Sequence, residues 1–297
     1  MSEVLEISRQ GRVSRIALNR PAKRNALNAQ LCREIVAALE EGFQNAAVGA
    51  ILLTGNGKHF CAGMDLTEIN TQTADQITAV QEQLFTIGAR ATKPIVGAAT
   101  GASLGGGMGL VANCHIVVAH PEATFGLTEI RIGLWPFLIF RALVAGLGER
   151  RTVELALTGR IFSAPEAKEM GLIHEISPHA LERAAEIAQA VAEFSPETIR
   201  SGLVFANDVR GKDSAAAGAI AQRIRDEVFQ SRDFHEGLNA FREKREPRWP
   251  SVRQEQHYML RSETIYSQIM GCRYFTFRRN ALSIVTTPPE FIEVSLC

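Results

Sequence analysis

The sequence predicts an α/β core followed by a helical region. Through the first half of the chain, short apolar segments such as 50–54 and 115–119 alternate with amphipathic segments. That alternation is typical of α/β proteins with crossover connections. Later in the chain the strand signal fades and helical patterns replace it. We expect residues 1–195 to form the α/β core and residues 196–250 a helical C-terminal region.

The N-terminal elements follow from turn and cap residues. Residues 4–18 alternate loosely between apolar and polar around Gln10 and Gly11, which predicts a hairpin of two short strands. Asn28 can cap a helix. The apolar residues that follow recur at helical spacing: Leu31, Ile35, Val36, Leu39 and Phe43.

The middle of the chain continues this pattern. A second amphipathic helix is marked by Ile77, Val80, Leu84 and Ile87. Buried strands are predicted at 94–97 and 115–119, on either side of a glycine-rich run. Farther on, Ser163 and Glu166 have the spacing of a capping box, and Gly171 is placed to end that helix.

Composition weighs against several classes of function, although a local basic cluster is still compatible with a net charge of zero. Lys+Arg and Asp+Glu both number 32, so no net charge attracts nucleic acid or an anionic membrane. The apolar runs are shorter than the roughly 18–20 residues that a bilayer span needs, and the N-terminus has no secretory pattern. The cysteines never form a CxxC pair, which favours free thiols over disulfides or a metal site: Cys32, Cys61, Cys114, Cys272 and Cys297. We therefore predict a cytoplasmic protein without a bound metal.

The last segment, 251–297, differs in composition from the rest. It contains all three tyrosines of the chain, and no lysine follows Lys244. We treat it as an appendage of unknown structure.

The run from Gly101 to Gly109 is the first candidate for chemistry. Its glycines imply a backbone that turns sharply and approaches another group closely, and the free N–H groups of a following helix would attract negative charge. A phosphate-binding loop is excluded, because no Lys-Ser/Thr pair follows and no window fits GxGxxG. Gly101–Gly105 does match GxSxG, so Ser103 is a candidate nucleophile with Glu129 and His174 or His179 as conceivable partners.

A third interpretation is an oxyanion hole. Gly106 would supply one backbone N–H, and the segment 60–66, where small residues follow a strand, would supply a second. The alternative for both segments is close helix–strand packing that only glycine allows.

Several segments taken together are more specific. Phe60-Cys61-Ala62-Gly63-Met64-Asp65-Leu66, followed by Leu104-Gly105-Gly106-Gly107, resembles the crotonase superfamily, the enoyl-CoA hydratase/isomerase family. The segments 19–28, 123–129 and 158–173 resemble further landmarks of that family in the same order. The resemblance spans roughly residues 4–250.

The resemblance implies a spiral of ββα units with a helical C-terminal trimerisation region, assembled as a homotrimer or homohexamer. It implies acyl-CoA substrates, with coenzyme A as part of the substrate and no separate cofactor. The N–H groups of Met64 and Gly106 would bind the thioester oxygen. The family's CoA-site positions fall here on Lys23, Arg24, Ala26, Ala62, Asp65, Leu66 and Gly105.

The sequence departs from the family's hydratases at one catalytic position. Those enzymes typically use two glutamates, and here the first position is Gly109 while the second is Glu129. His115 replaces a common aspartate, and we expect it to be structural. One base suffices to move a double bond from the 3,4 to the 2,3 position. We therefore favour Δ3,Δ2-enoyl-CoA isomerisation through Glu129, with hydration of 2-enoyl-CoA as the alternative and a non-catalytic acyl-CoA binder as a remote one.

Overall fold

A computed structural model of the protein describes residues 2–68 and 74–252. The strands are β1 (Leu5–Gln10), β2 (Val13–Leu18), β3 (Ala50–Gly55), β4 (Ile95–Ala99), β5 (Ala102–Leu104), β6 (Ile116–Ala119), β7 (Thr124–Gly126), β8 (Ile161–Ser163) and β9 (Glu175–Ile176). The helices are α1 (Ala29–Gln44), α2 (Ala74–Phe85), α3 (Gly106–Ala112), α4 (Phe137–Leu147), α5 (Glu149–Thr158), α6 (Ala164–Met170), α7 (Ala180–Ala192), α8 (Pro196–Asp208), α9 (Ser214–Phe229) and α10 (Arg232–Glu243).

The strands form two sheets. The larger has the order β1-β2-β3-β4-β6-β9, in which β1 and β2 are antiparallel and the other neighbours are parallel. The smaller has the order β5-β7-β8, with β5 and β7 parallel. In chain order, β1-β2-α1, β4-β5-α3 and β6-β7-α4 are ββα units. The predicted α/β class is confirmed.

Both faces of the larger sheet are covered. Ile51 and Leu53 of β3 belong to the apolar core that includes α1, whereas Ala50 and Leu52 on the other face pack with the alanines of α7. Such two-sided burial explains why β3 is a continuous apolar run in the sequence.

Several local predictions are confirmed. The hairpin turns at Gly11, which has φ +56°. The side chain of Asn28 accepts a hydrogen bond of 2.9 Å from the N–H of Leu31 at the start of α1. Gly171 ends α6 in the left-handed conformation, with φ +84°. Within the described residues, Cys32, Cys61 and Cys114 form no disulfide.

Other predictions need correction. The helix predicted through Ile87 ends at Phe85, and Ile87 begins a separate 3-10 turn. Ser163 precedes α6 but makes no capping hydrogen bond, and Glu166 instead accepts one of 2.6 Å from Arg160. The short strands β5, β7, β8 and β9 were not predicted, because two or three residues carry no readable periodicity.

The helices α8, α9 and α10 lie in the range expected to be helical, while the division into domains remains a prediction. Several large apolar side chains are exposed in the single chain, Phe194 just before α8 and four others within α8 to α10: Val204, Phe229, Leu238 and Phe241. None of the helices described here combines the length and apolarity needed to cross a membrane. The tail predicted from residue 251 lies outside the described residues from 253 onwards.

Candidate functional site

Three short parallel segments place the candidate site. Cys61 forms a parallel bridge with Ser103 of β5, and Ser103 pairs with Phe125 of β7. Three residues beyond Cys61 and Ser103 lie Met64 and Gly106, and four residues beyond Phe125 lies Glu129. Since parallel segments end at the same edge, this register gathers the three predicted catalytic positions.

Two glycines let these segments approach one another. Gly63 has φ +96°, and a Cβ there would lie 2.8 Å from the carbonyl oxygen of Leu104 and 3.6 Å from the nitrogen of Gly106. Gly105 has φ +50°, and a Cβ there would lie 2.9 Å from Oε1 of Glu129. At Gly63 the close contact is with backbone, so any other residue would force the segments apart; at Gly105 the contact is with a side chain, and the positive φ is what favours glycine.

The backbone N–H groups of Met64 and Gly106 are free to bind a ligand. Neither donates a hydrogen bond to any residue within 2–68 or 74–252. Gly106 is the first residue of α3, whose aligned peptide dipoles favour negative charge at that end. The flanking backbone is fixed, because Leu27 donates to Gly63 at 2.7 Å and Asp65 donates to Leu27 at 3.0 Å.

Met64 and Gly106 both line a cavity of about 440 Å³. Most of its wall is apolar and comes from Leu27, Leu66, Phe85, Ile132, Leu134, Trp135, Pro136, Phe137, Leu138 and Ile139. Its polar side chains are Thr78, Gln81, Thr128 and Glu129. Among the described lining residues, Glu129 is therefore the sole titratable group.

Glu129 is held as an isolated carboxyl. It begins the 3-10 turn Glu129–Ile132, and its Oε2 is buried without a hydrogen-bond partner in the described structure. Burial raises the pKa of Glu129 above its ordinary value, and this outweighs the opposing hydrogen bond from its own backbone. A carboxyl with a raised pKa can both take and return a proton near neutral pH.

Position 109 has no room for a second carboxylate. A Cβ on Gly109 would overlap Cγ2 of Ile139 and lie 3.1 Å from Cδ1 of Phe85. The side chains of α4 and α2 thus fill the space that a glutamate at this position would need.

The predicted residues divide into two groups. Those that line the cavity are Met64, Gly106, Glu129, Ala62, Leu66 and Gly105. Lys23 and Arg24 are exposed and Ala26 is half-buried, all outside the cavity wall. They lie beside the Met64 segment, because the N–H of Ala62 donates to the carbonyl of Arg24 at 3.0 Å.

Asp65 is engaged with the protein itself. Its carboxylate pairs with Arg20 at 2.9 Å and accepts a hydrogen bond of 2.6 Å from the hydroxyl of Thr67. Arg20 also donates to the carbonyl of Ala26. The bond from Thr67 and then that from Arg20 lower the pKa of Asp65, despite its burial. Asp65 thus ties the Met64 segment to the loop that begins at Arg20.

The other candidates lie elsewhere. Ser103 is fully buried between its neighbouring segments, and its hydroxyl has no hydrogen-bond partner in the described chain, so no base activates it. His115 lies in a separate hollow, where its Nδ1 accepts a hydrogen bond of 2.9 Å from the N–H of Ile95. Burial lowers the pKa of His115 to about 4, which keeps the ring neutral, as expected of a structural histidine.

Sequence reasoning missed several other residues of the cavity wall. Phe85, Ile139 and Gln81 belong to the cavity wall but were not predicted. For Gln81 a signal existed, since it lies between Ile77 and Phe85 at four-residue spacing and so interrupts an apolar stripe.

The chain resembles known proteins along most of its length. A family model described as enoyl-CoA hydratase/isomerase matches residues 8–253. A mevalonyl-coenzyme A hydratase of Aspergillus fumigatus is 37% identical over 243 residues, which cover 79% of this chain and 90% of the relative. A 2,3-dehydroadipyl-CoA hydratase of Escherichia coli is 32% identical over 251 residues, which cover 83% and 98%. The crystal structure of an enoyl-CoA hydratase from Bacillus anthracis has a TM-score of 0.79 and 30% identity, covering 84% of this chain and 99% of that one.

Restoring a glutamate at position 109 should disrupt packing. We expect Gly109→Glu to lower the free energy of unfolding by about 1–3 kcal/mol, because the side chain collides with Ile139. Adding Ile139→Ala should recover part of this loss. Gly202→Glu is the control, since a Cβ there meets nothing within 4 Å. Urea unfolding measures all four proteins, and an undiminished stability of Gly109→Glu would contradict the packing argument.

The isolated carboxyl of Glu129 should weaken the fold at high pH. Because its pKa is raised on folding, stability is lost as pH rises from the ordinary value of 4.5 through the folded value. Glu129→Gln should therefore be more stable than wild type at about pH 8, by about 1 kcal/mol. This advantage should disappear near pH 4.5, the ordinary pKa of the group.

Urea unfolding at both pH values measures the effect. The exposed Glu122→Gln provides a matched control that should show no comparable gain. A Glu129→Gln variant less stable than wild type at the higher pH would refute the account.

Proposed function

We propose, since the chain belongs to the enoyl-CoA hydratase/isomerase family, that its cavity holds the acyl part of an acyl-CoA thioester while Glu129 moves a proton at the adjacent carbon. The likeness to solved enoyl-CoA hydratases and the ββα units confirm the predicted crotonase-like fold. The observation that carries the proposal is the convergence of two unpaired N–H groups and one isolated carboxyl in an apolar cavity.

The two N–H groups suit the charge that this chemistry creates. Removing a proton from C2 of a thioester places negative charge on the carbonyl oxygen. In our proposal that oxygen accepts hydrogen bonds from Met64 and Gly106, which are already in position and need no rearrangement. Donors fixed in advance in an apolar site stabilise such an oxyanion strongly.

A single base favours isomerisation. The carboxylate of Glu129 takes a proton from C2 of a 3-enoyl-CoA, and the electron pair of that C–H bond moves into a dienolate. The protonated Glu129 then returns the proton at C4, and the double bond ends between C2 and C3. No second acid is consumed, which agrees with the space at Gly109 being filled by Ile139 and Phe85.

Hydration of a 2-enoyl-CoA is the second candidate. The relatives reported above are named as hydratases, and this favours it. In that reaction Glu129 would take a proton from water as the oxygen adds to C3, and the same proton would go to C2. Thr128, which lines the cavity next to Glu129, offers a hydroxyl on that side.

The remaining assignments complete the proposal. The exposed Lys23 and Arg24, with Ala26, would contact coenzyme A at the edge of the Met64 segment, and no further cofactor is invoked. Asp65 would position that segment through Arg20. The exposed apolar side chains of α8 to α10 support a homotrimer or homohexamer. A cytoplasmic location remains a prediction.

Assays with two substrates, a 3-enoyl-CoA and a 2-enoyl-CoA, distinguish isomerisation from hydration. We expect the protein to convert a 3-enoyl-CoA to the 2-enoyl-CoA faster than it hydrates a 2-enoyl-CoA, and Glu129→Gln to slow both about 10²–10⁴-fold, since one proton carrier is lost. Product formation is followed by chromatography of the CoA esters. Fast hydration that survives Glu129→Gln would defeat the single-base mechanism. Tight binding of both esters without turnover would favour a non-catalytic binder.

Removing one N–H tests the oxyanion hole. Gly106→Pro deletes the donor at the first position of α3, where proline fits a helix. Gly106→Ala adds a Cβ at the same place, 2.9 Å from Cδ1 of Leu27, but keeps the donor. We expect kcat to fall about 10²–10³-fold further in the proline variant than in the alanine variant. Equal rates in the two variants would show that this N–H does not act.

A further inference from the structure

Gln81 is a buried polar side chain that the chemistry at Glu129 does not use. Only 9% of its surface is exposed, and it lines the cavity from α2. Its amide makes no hydrogen bond with the described parts of the chain. An amide at the wall of a ligand cavity, with its donors and acceptor unused by the described residues, is placed to bind a ligand group.

The position of Gln81 relative to the N–H groups of Met64 and Gly106 indicates which part of a bound ligand Gln81 contacts. Phe85 lies beside the N–H of Gly106, since a Cβ on Gly106 would lie 3.1 Å from Cζ of Phe85. Gln81 precedes Phe85 by four residues on the same face of α2, a rise of about 6 Å along the helix, and both side chains line the cavity. A few carbon–carbon bonds of an acyl chain span that distance.

The apolar surroundings of Gln81 determine which ligand groups its amide can bind favourably. The wall of the cavity that Gln81 lines is mostly apolar, with Phe85, Leu138 and Ile139 among its residues. A plain hydrocarbon chain would displace water from the amide and offer nothing in return, which is unfavourable for a buried polar group. A ligand oxygen would restore the lost hydrogen bond.

Charge narrows the class of ligand. No lysine, arginine or histidine is among the described residues that line the cavity, and its one titratable group, Glu129, is an acid. A terminal carboxylate would enter without a counter-ion, which is costly in an apolar cavity. A neutral hydroxyl can both donate to the amide oxygen and accept from its NH₂ group.

We propose that this cavity selects acyl-CoA thioesters whose chain carries a neutral hydroxyl a few carbons from the thioester, and that Gln81 binds that hydroxyl. The proposal rests on the proposed acyl-CoA function and adds the class of acyl group. Thr78, three residues before Gln81, also lines the cavity.

Binding of saturated esters tests the proposal without turnover, because they have no double bond to shift or hydrate. Isothermal titration calorimetry on the full chain compares 4-hydroxybutanoyl-, 5-hydroxypentanoyl- and 6-hydroxyhexanoyl-CoA, each against its parent without the hydroxyl. We expect at least one hydroxylated ester to bind about three- to tenfold more tightly than its parent, the scale of one neutral hydrogen bond. Glutaryl-CoA, which carries a carboxylate, should bind more weakly than that ester.

Variants at position 81 test whether the Gln81 side chain causes the preference for the hydroxylated ester. Gln81→Leu and Gln81→Met should abolish the preference, whereas Gln83→Leu, the same change on the exposed face of α2, should retain it. The inference is overturned if no hydroxylated ester is preferred, if the preference survives both Gln81 variants, or if glutaryl-CoA binds most tightly. If none of the esters binds, the acyl-CoA function itself fails.

Discussion

The register of three parallel segments is the constraint on which the site depends. Cys61, Ser103 and Phe125 lie side by side, and the chain beyond each leads to one reacting group. A shift of one residue in either pairing would turn a side chain to the opposite face and carry its donor or carboxyl out of the cavity. The larger sheet and the helices α1 and α7 that cover it contribute no residue to the cavity wall.

Local features then fix the distances. Gly63 and Gly105 adopt positive φ angles, which let the segments come within contact of Gly106 and Glu129. The ion pair of Asp65 with Arg20 is largely buried, and both partners make a further hydrogen bond, Asp65 with Thr67 and Arg20 with the carbonyl of Ala26. A buried pair with such bonds tolerates loss of water better than an isolated one. The backbone of Met64 is therefore held from two directions.

The sequence predicted what local chemistry determines. Asn28 as a cap, the apolar run of β3 and the glycines near Gly106 are each readable from residue type. The register was not readable, because β5 and β7 are three residues long and their pairing depends on distant parts of the chain. The same holds for Ser163, whose expected partner Glu166 bonds to Arg160 instead. The burial of Glu129 and the packing of Ile139 against Gly109 likewise arise only in three dimensions.

Several polar groups without hydrogen-bond partners in the described chain lie around one cavity, and this grouping is what points to a ligand. Thr100 and Ser103 also bury hydroxyls without a hydrogen-bond partner in the described chain, and neither is among the residues that line the cavity. A single such group is a modest cost that a stable fold tolerates. Around the cavity, by contrast, the N–H pair, Oε2 of Glu129 and the amide of Gln81 all lack hydrogen-bond partners in the described chain. Folding alone gives no reason to gather them in one apolar space, whereas a bound ligand with oxygens at matching positions satisfies them together.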